Sequence, residues 1–178
     1  MKFWLATILA LAMPLAAPAA GKKSKSFLIT VHVEGTAEEA PKFSAPVKLG
    51  SEGRQYFFKR VPEFTDDDIA YFYPFISKDG KSYGVGFKLK NHATETLKGL
   101  CLTNPGKLLG VRIPNAPYTA LLIDRPIDDG VIVVWDGLTK QHLKAFENKF
   151  PHADQAIAQA PGGGVPLNGP LAPGPARE

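Results

Sequence analysis

IAYFYPFISKDGKSYGVGFKLKNHATETLKGLCLT, residues 69–103, is the stretch that decides the fold. Residues 69–77 and 82–90 are rich in aromatic and β-branched side chains, and both read as strands. Between them lies Lys78-Asp79-Gly80-Lys81, whose Asp-Gly pair supplies the positive φ of a tight hairpin turn. Asn91 then reads as the cap of a helix of about twelve residues. Its apolar positions Ala93, Leu97, Leu100 and Cys101 fall at i, i+4, i+7 and i+8, one face of a 3.6-residue period. Asn104-Pro105-Gly106 stops the helix.

Outward from this unit, residues 26–33 alternate and are β-branched, which predicts a strand. Residues 42–49 and 54–61 are weaker strand candidates bounded by Pro41, Gly50, Gly53 and Pro62. Thr65-Asp66-Asp67-Asp68 is a capping residue followed by first-turn acids, suited to a single helical turn. Residues 108–113, 118–123 and 131–135 predict further strands. Thr139 caps a last helix whose inner face is Leu143, Phe146 and Phe150, with Leu138 and Leu143 placed to form a hydrophobic staple. This order predicts an α+β fold: a mainly antiparallel sheet with two helices on one face.

The ends read differently. Met1-Lys2, an apolar run over residues 3–13 and the small-residue stretch ending Ala17-Pro18-Ala19 have the layout of an export signal over residues 1–19. This eleven-residue run spans only ~17 Å as a helix, short of a ~30 Å hydrocarbon core, so a membrane anchor is the poorer reading. Residues 20–26 form a basic linker. From residue 154 onward, and above all in PGGGVPLNGPLAPGPARE (161–178), five prolines and five glycines predict a disordered tail. Residues 27–81 and 82–153 are expected to make one compact unit, exported to the periplasm or secreted.

Charge and motifs narrow the chemistry. The chain has 21 Lys and Arg against 17 Asp and Glu, and Lys2 leaves with the signal. Three more lysines, Lys22, Lys23 and Lys25, sit in the linker, so no clustered basic face remains for nucleic acid. One cysteine excludes an intrachain disulfide framework. Gly80-Lys81-Ser82-Tyr83-Gly84 matches the string of a hydrolase nucleophile elbow, with Asp124 or Asp136 and then His142 following in chain order. However, that geometry needs a strand before the serine and a helix after it, and Ser82 has a turn before it and a strand after. Asp66-Asp67-Asp68 lacks the alternate spacing of a calcium loop. Gly106-Lys107 lacks the first glycine and the final Ser or Thr of a phosphate loop. His32, His92, His142 and His152 show no metal-ligand spacing. Neither a metal nor an organic cofactor is expected.

The aromatic distribution is the unusual feature. Eight aromatic residues fall between Tyr56 and Phe75. In the strand 69–77, Tyr71, Tyr73 and Phe75 share one face, and Phe72 looks the other way. Such a strand is either buried on both faces or presents a tyrosine-rich strip to an extended polypeptide, since Tyr supplies contact area at low entropy cost. Tyr71, Tyr73, Phe75 and Trp135 are the candidate ligand-binding residues, and the expected partner is a polypeptide or an envelope protein. The alternatives are a small envelope hydrolase using Ser82 or Asp136 with His142, or a purely structural envelope component.

Over residues 83–150 the signals come in a distinctive order. Phe87 and Leu89 are followed by Leu97 and Leu100, then Thr103-Asn104 and Gly106-Lys107. Leu109, Val111, Ile127, Gly130 and Ile132 come next, and Gly137-Leu138-Thr139 with Leu143 closes the series. This order resembles the head portion of the large periplasmic domain of SecD, a membrane subunit of protein export. The departures are Ala120-Leu121, where that family has a small-Pro pair, and Trp135-Asp136, where it has smaller residues. The resemblance implies a SecD-head-like fold and contact with unfolded exported chains. It does not imply proton-coupled transport, because no membrane bundle follows in this sequence.

Overall fold

The structure, a computed structural model, describes residues 27–50 and 52–159. The expected export signal 1–19 and linker 20–26, and the sequence from residue 160, lie outside the described residues. In chain order the elements are β1 (Thr30–Val33), β2 (Ser44–Leu49), β3 (Arg54–Lys59), β4 (Phe64–Thr65), a 3-10 turn (Asp66–Asp68), β5 (Ile69–Ile76) and β6 (Tyr83–Leu89). They continue with α1 (Asn91–Thr103), β7 (Leu108–Arg112), β8 (Thr119–Leu122), β9 (Val131–Leu138), α2 (Lys140–Glu147) and α3 (Ala153–Gln159).

The fold is α+β, and every pairing between these strands is antiparallel. The single sheet expected from sequence is divided. One sheet has the order β4-β1-β7-β8, another β5-β6-β9, and β2-β3 is a separate ribbon. The division follows from partners distant in sequence: β7 pairs with β1, whereas β9 returns to β6. Local alternation marks a strand but carries no information about its neighbour.

Period-2 alternation sorts the side chains of β5-β6-β9. Phe72, Phe87 and Ile132 stand opposite one another in register and are fully buried. Val85, Leu89 and Val134 lie on the same inner face. From the other sheet Val31, Val33, Leu109 and Val111 join the same apolar cluster, as do Ala93, Leu97 and Cys101 of α1 and Phe146 of α2. Phe146 stands edge-on to Phe87, with ring centroids 5.2 Å apart and planes at 88°. Fully burying a side chain of this kind contributes about 1.5–3 kcal/mol, so these rings hold both sheets and both helices to one core.

Buried polar groups fasten the edges. The Asp66 carboxylate accepts from the backbone N–H groups of Leu28 (3.0 Å) and Ile29 (2.7 Å), and from the Lys149 ammonium. It thereby ties the start of the described chain to the segment that follows α2. A buried carboxylate is tolerable because it is paired and hydrogen-bonded in this way. Thr65 caps the 3-10 turn, with its backbone N–H donating to Asp68.

Three local expectations are corrected. Asn91 is not the helix cap: Lys90 occupies that position, and its N–H donates to the Asp68 carbonyl. β6 therefore runs directly into α1 without a side-chain cap, and the Lys90–Asp68 bond ties this junction to the 3-10 turn. Gly80 alone carries the positive φ of the hairpin turn, at 64°, while Asp79 accepts from the N–H groups of Lys81 and Ser82. Residues 153–159, assigned to the tail from residue 154, form α3 instead. The preceding segment pairs with β5, Phe72 N–H donating to the Pro151 carbonyl and Phe72 lying opposite His152 in a parallel bridge. Docking against the sheet offsets the ordering cost that composition alone would leave unmet.

Candidate functional site

The outer face of the β5-β6-β9 sheet carries all four residues singled out from sequence. A register irregularity between Ile69 and Tyr71 sets the phase, so that Ile69 points inward with Leu89 while Tyr71 stands opposite Lys88 on the outside. Tyr73 and Phe75 follow on the outer face, opposite Gly86 and Gly84 of β6. Trp135 of β9 completes the strip, its ring 5.9 Å from that of Phe75 at 65°. Edge-on pairs of this kind contribute about 0.5–1.5 kcal/mol beyond area burial.

The glycines explain how the rings lie. A methyl group on Gly86 would sit 2.1 Å from Tyr73 Cζ, and one on Gly84 would sit 2.3 Å from Phe75 Cε2. Each β5 ring is thus laid flat across β6 in the space a side chain would otherwise fill. The result is a low, apolar surface of aromatic faces. Tyr71, Tyr73 and Phe75 are half-buried, and Trp135 is 61% exposed. Among the described residues, the Tyr71 and Tyr73 hydroxyls and the Trp135 indole N–H have no hydrogen-bond partner. Burial raises the Tyr73 phenol above its ordinary value, and the Asp129 charge and Tyr71 add to this, so Tyr73 is a neutral O–H donor. At the rim the Lys88 ammonium donates to the Asp129 carbonyl.

The strip therefore offers stacking surface with three polar tips, arrayed on a sheet face rather than along a strand edge. Sequence reasoning identified its rings but missed Gly84, Gly86 and Lys88. The signal was present: glycines at alternate positions of one strand facing aromatics at alternate positions of its hairpin partner.

The residues of the hydrolase alternative are engaged in separate local structures. Ser82 Oγ donates to Asp79 Oδ2 at 2.9 Å and accepts from Gly137 N–H at 3.2 Å. Asp79 is held below the usual carboxylate range, chiefly by the Ser82 N–H and then by that of Lys81. His142 Nδ1 accepts from Thr139 N–H at 3.0 Å, and its Nε2–H donates to the Pro114 carbonyl at 3.1 Å. Both imidazole nitrogens are thus committed to holding the start of α2 against the loop after β7, and neither reaches Ser82 or Asp136. Asp136 instead lines an open cleft of about 520 Å³ with Arg54, Tyr56, Pro117 and Tyr118. Among the described residues no group of three or more His, Cys, Asp and Glu side chains could hold a metal ion. Nor is any described helix long and apolar enough to cross a membrane.

The fold and the strip together define an α+β domain with an aromatic face. Among solved structures it is similar to SecDF in its super-membrane-facing form, with 18% identity over 69% of this chain and 18% of that one and a TM-score of 0.45. A second SecDF structure, described as that of a membrane component that enhances protein export, gives 18% identity over 69% of this chain and 58% of that one, with a TM-score of 0.43. This chain spans less than two thirds of either. No protein-family model and no curated protein sequence matches it.

Proposed function

We propose that this protein is an exported, non-enzymatic accessory domain of the cell envelope that holds extended polypeptide against the outer face of β5-β6-β9. The observation that carries the reading is the strip itself: Tyr71, Tyr73, Phe75 and Trp135 on one sheet face, with their polar tips free of partners among the described residues. Tyr and Trp are the side chains that give contact area at least entropy cost, and an apolar face with few charged groups accepts many sequences. The export signal read at residues 1–19 and the SecD-like order of residues 83–150 support the reading that such a partner is an exported chain. Ser82 and His142 have structural duties that account for them, which favours a binding role over the hydrolase.

The test is an anisotropy titration of the full chain into fluorescently labelled, reduced and carboxymethylated α-lactalbumin, a permanently unfolded polypeptide. Saturable binding in the micromolar range is expected. The Tyr71→Ala/Tyr73→Ala double variant should bind at least about tenfold more weakly, as expected when central aromatic anchors are removed. Its circular dichroism should be unchanged. Equal binding by the double variant, or no binding by the chain stopped after Gln159, would remove the reading.

A further inference from the structure

We infer that β8 is a self-association edge: it pairs antiparallel with β8 of a second copy of this chain, joining two β4-β1-β7-β8 sheets across a twofold axis. The inference is independent of the polypeptide reading, which concerns the outer face of the other sheet.

The ladder phase identifies the backbone groups that are free. Ile123 N–H donates to the Lys107 carbonyl at 2.9 Å, whereas Leu108 faces β1, its carbonyl accepting from Glu34 N–H at 2.9 Å. With Leu109 opposite Leu121 and Val111 opposite Thr119, residues 119, 121 and 123 are the ones that bond to β7. The alternation of an antiparallel pair then turns the N–H and C=O groups of Ala120 and Leu122 away from β7. Among the described residues no strand lies on that side of β8, and none of these four groups has a hydrogen-bond partner.

Other edges are guarded in ways that this one is not. Phe72 N–H points outward to the Pro151 carbonyl, so Pro74, two residues on, stands at the same edge of β5 with no donor to offer. β4 is two residues long, and β2 carries Pro46. On β9 the Val131 N–H is taken by Asp129 Oδ1, and the ladder is irregular toward Leu138. Proline, charge and irregular register keep an edge from pairing, and Thr119-Ala120-Leu121-Leu122 has neither proline nor charge.

The occupant follows from self-complementarity. Leu122 is 59% exposed and shares a strand face with Ala120. Beside Ala120 lies the open cleft of about 520 Å³, walled by Tyr56, Leu108 and Tyr118. In an antiparallel pair centred on Leu121, Ala120 stands opposite the second copy's Leu122, and Leu122 opposite that copy's Ala120. Each exposed leucine then enters the cleft beside the other copy's alanine, and four backbone hydrogen bonds form together. Contacts across a twofold axis are reciprocal, so a knob and a hole two residues apart on one strand satisfy each other. On the other strand face Leu121 meets its own copy and Thr119 meets Ile123, so no like charges are opposed. A register centred on Ala120 would set alanine against alanine and leave the cleft unfilled. An interface of this extent belongs to the transient class.

Sedimentation velocity of the full chain over about 1–500 μM should show a monomer–dimer equilibrium. Ala120→Pro removes an outward N–H without touching the bonds to β7, and Leu122→Lys puts a charge where the leucine inserts. Each should weaken dimerisation at least about tenfold with circular dichroism unchanged. Leu122 is mostly in solvent, so the second variant keeps the fold even where the first does not. Oxidation reads the register. Leu121→Cys places two thiols across the axis at a non-hydrogen-bonded pair, with Cα atoms about 4.5 Å apart, and should give a disulfide-linked dimer. Thr119→Cys separates them by at least about 13 Å and should not. Cys101 is buried, so the parent chain is the blank. A monomer at every concentration overturns the inference. So does equal dimerisation by both variants, or linking through Thr119→Cys and not through Leu121→Cys. Binding of carboxymethylated α-lactalbumin by a monomeric chain, lost in Ala120→Pro, would make an outside polypeptide the occupant of the edge and overturn the second copy.

Discussion

Tyr73 over Gly86 and Tyr118 over Gly110 are the same packing device in two settings. In both, an aromatic ring occupies the space above a glycine on the adjoining strand: a methyl group on Gly86 would meet Tyr73 at 2.1 Å, and one on Gly110 would meet the Tyr118 hydroxyl at 2.4 Å. The difference is the roof. The β2-β3 ribbon folds over the β4-β1-β7-β8 sheet, bringing Phe58, itself only 2% exposed, to 5.1 Å from the half-buried Tyr118 ring. His32 fastens that ribbon, its Nδ1–H donating to the Lys59 carbonyl at 2.8 Å while Nε2 accepts from Thr30 Oγ1 at 2.8 Å. Over Tyr73 there is no counterpart to Phe58: Tyr71 and Tyr73 make no ring contact among the described residues. An aromatic ring on a glycine is thus a local solution to filling a strand surface. What lies above it then differs: the half-buried Tyr118 packs against the buried Phe58, whereas the half-buried Tyr73 has no ring above it among the described residues.

The comparison breaks most sharply at Phe58. Phe58→Ala should destabilise the protein by about 3–5 kcal/mol, as for a buried phenylalanine that leaves a cavity, whereas Tyr73→Ala should lose about 1 kcal/mol. Urea unfolding midpoints measure both, and equal losses would mean that the outer strip is core after all. Next come the glycines. Gly110→Ala should lose about 1–3 kcal/mol, because Phe58 and the ribbon prevent the Tyr118 ring from lifting away. Gly86→Ala should lose under about 1 kcal/mol, because Tyr73 can swing outward, yet it should weaken α-lactalbumin binding through the displaced ring.

A pH series sharpens the same contrast. Burial holds His32 below its ordinary value of 6.5, with Arg112 acting in the same direction, against the opposing Lys59 hydrogen bond and Glu63 charge. The unfolded chain therefore binds this proton at a higher pH than the folded one does. The His32 contribution is fully present above about pH 6.5 and is lost as pH falls from there toward the lower folded-state value. A His32→Asn variant should be less stable at neutral pH and show a flatter decline between pH 6.5 and 5, while Trp135 fluorescence in a Trp4→Phe background stays unchanged. The smallest expected effect is at Trp135. Trp135→Ala should change stability by under about 1 kcal/mol and reduce polypeptide binding, since its ring is mostly in solvent.

Much of this was legible in residues 69–103. Alternation put Tyr71, Tyr73 and Phe75 on one face of their strand and Phe72 on the other, and the 3.6-residue period placed Leu97 and Cys101 on the buried face of α1. What was not legible was covering. The segments 42–49 and 54–61 read as modest strands with nothing to show that they roof Gly110, and the prediction of one sheet failed because strand partners are chosen across long chain separations. Residues 153–159 read as the start of a tail, since their composition holds no trace of the β5 edge that α3 packs against.

By itself, then, the sequence determined most of the element types, which residues share a strand face, the turn at Gly80 and the concentration of aromatics that became the strip. These are consequences of side-chain alternation and backbone φ, which act over a few residues. Only the tertiary structure decided that Tyr118 lies beneath a ribbon, that Tyr73 and Trp135 share the outer face of β5-β6-β9, and that Ser82 and His142 are bound up in a turn and a helix cap. Those outcomes depend on which distant segment packs above a given surface, and that is set by the burial of the whole core.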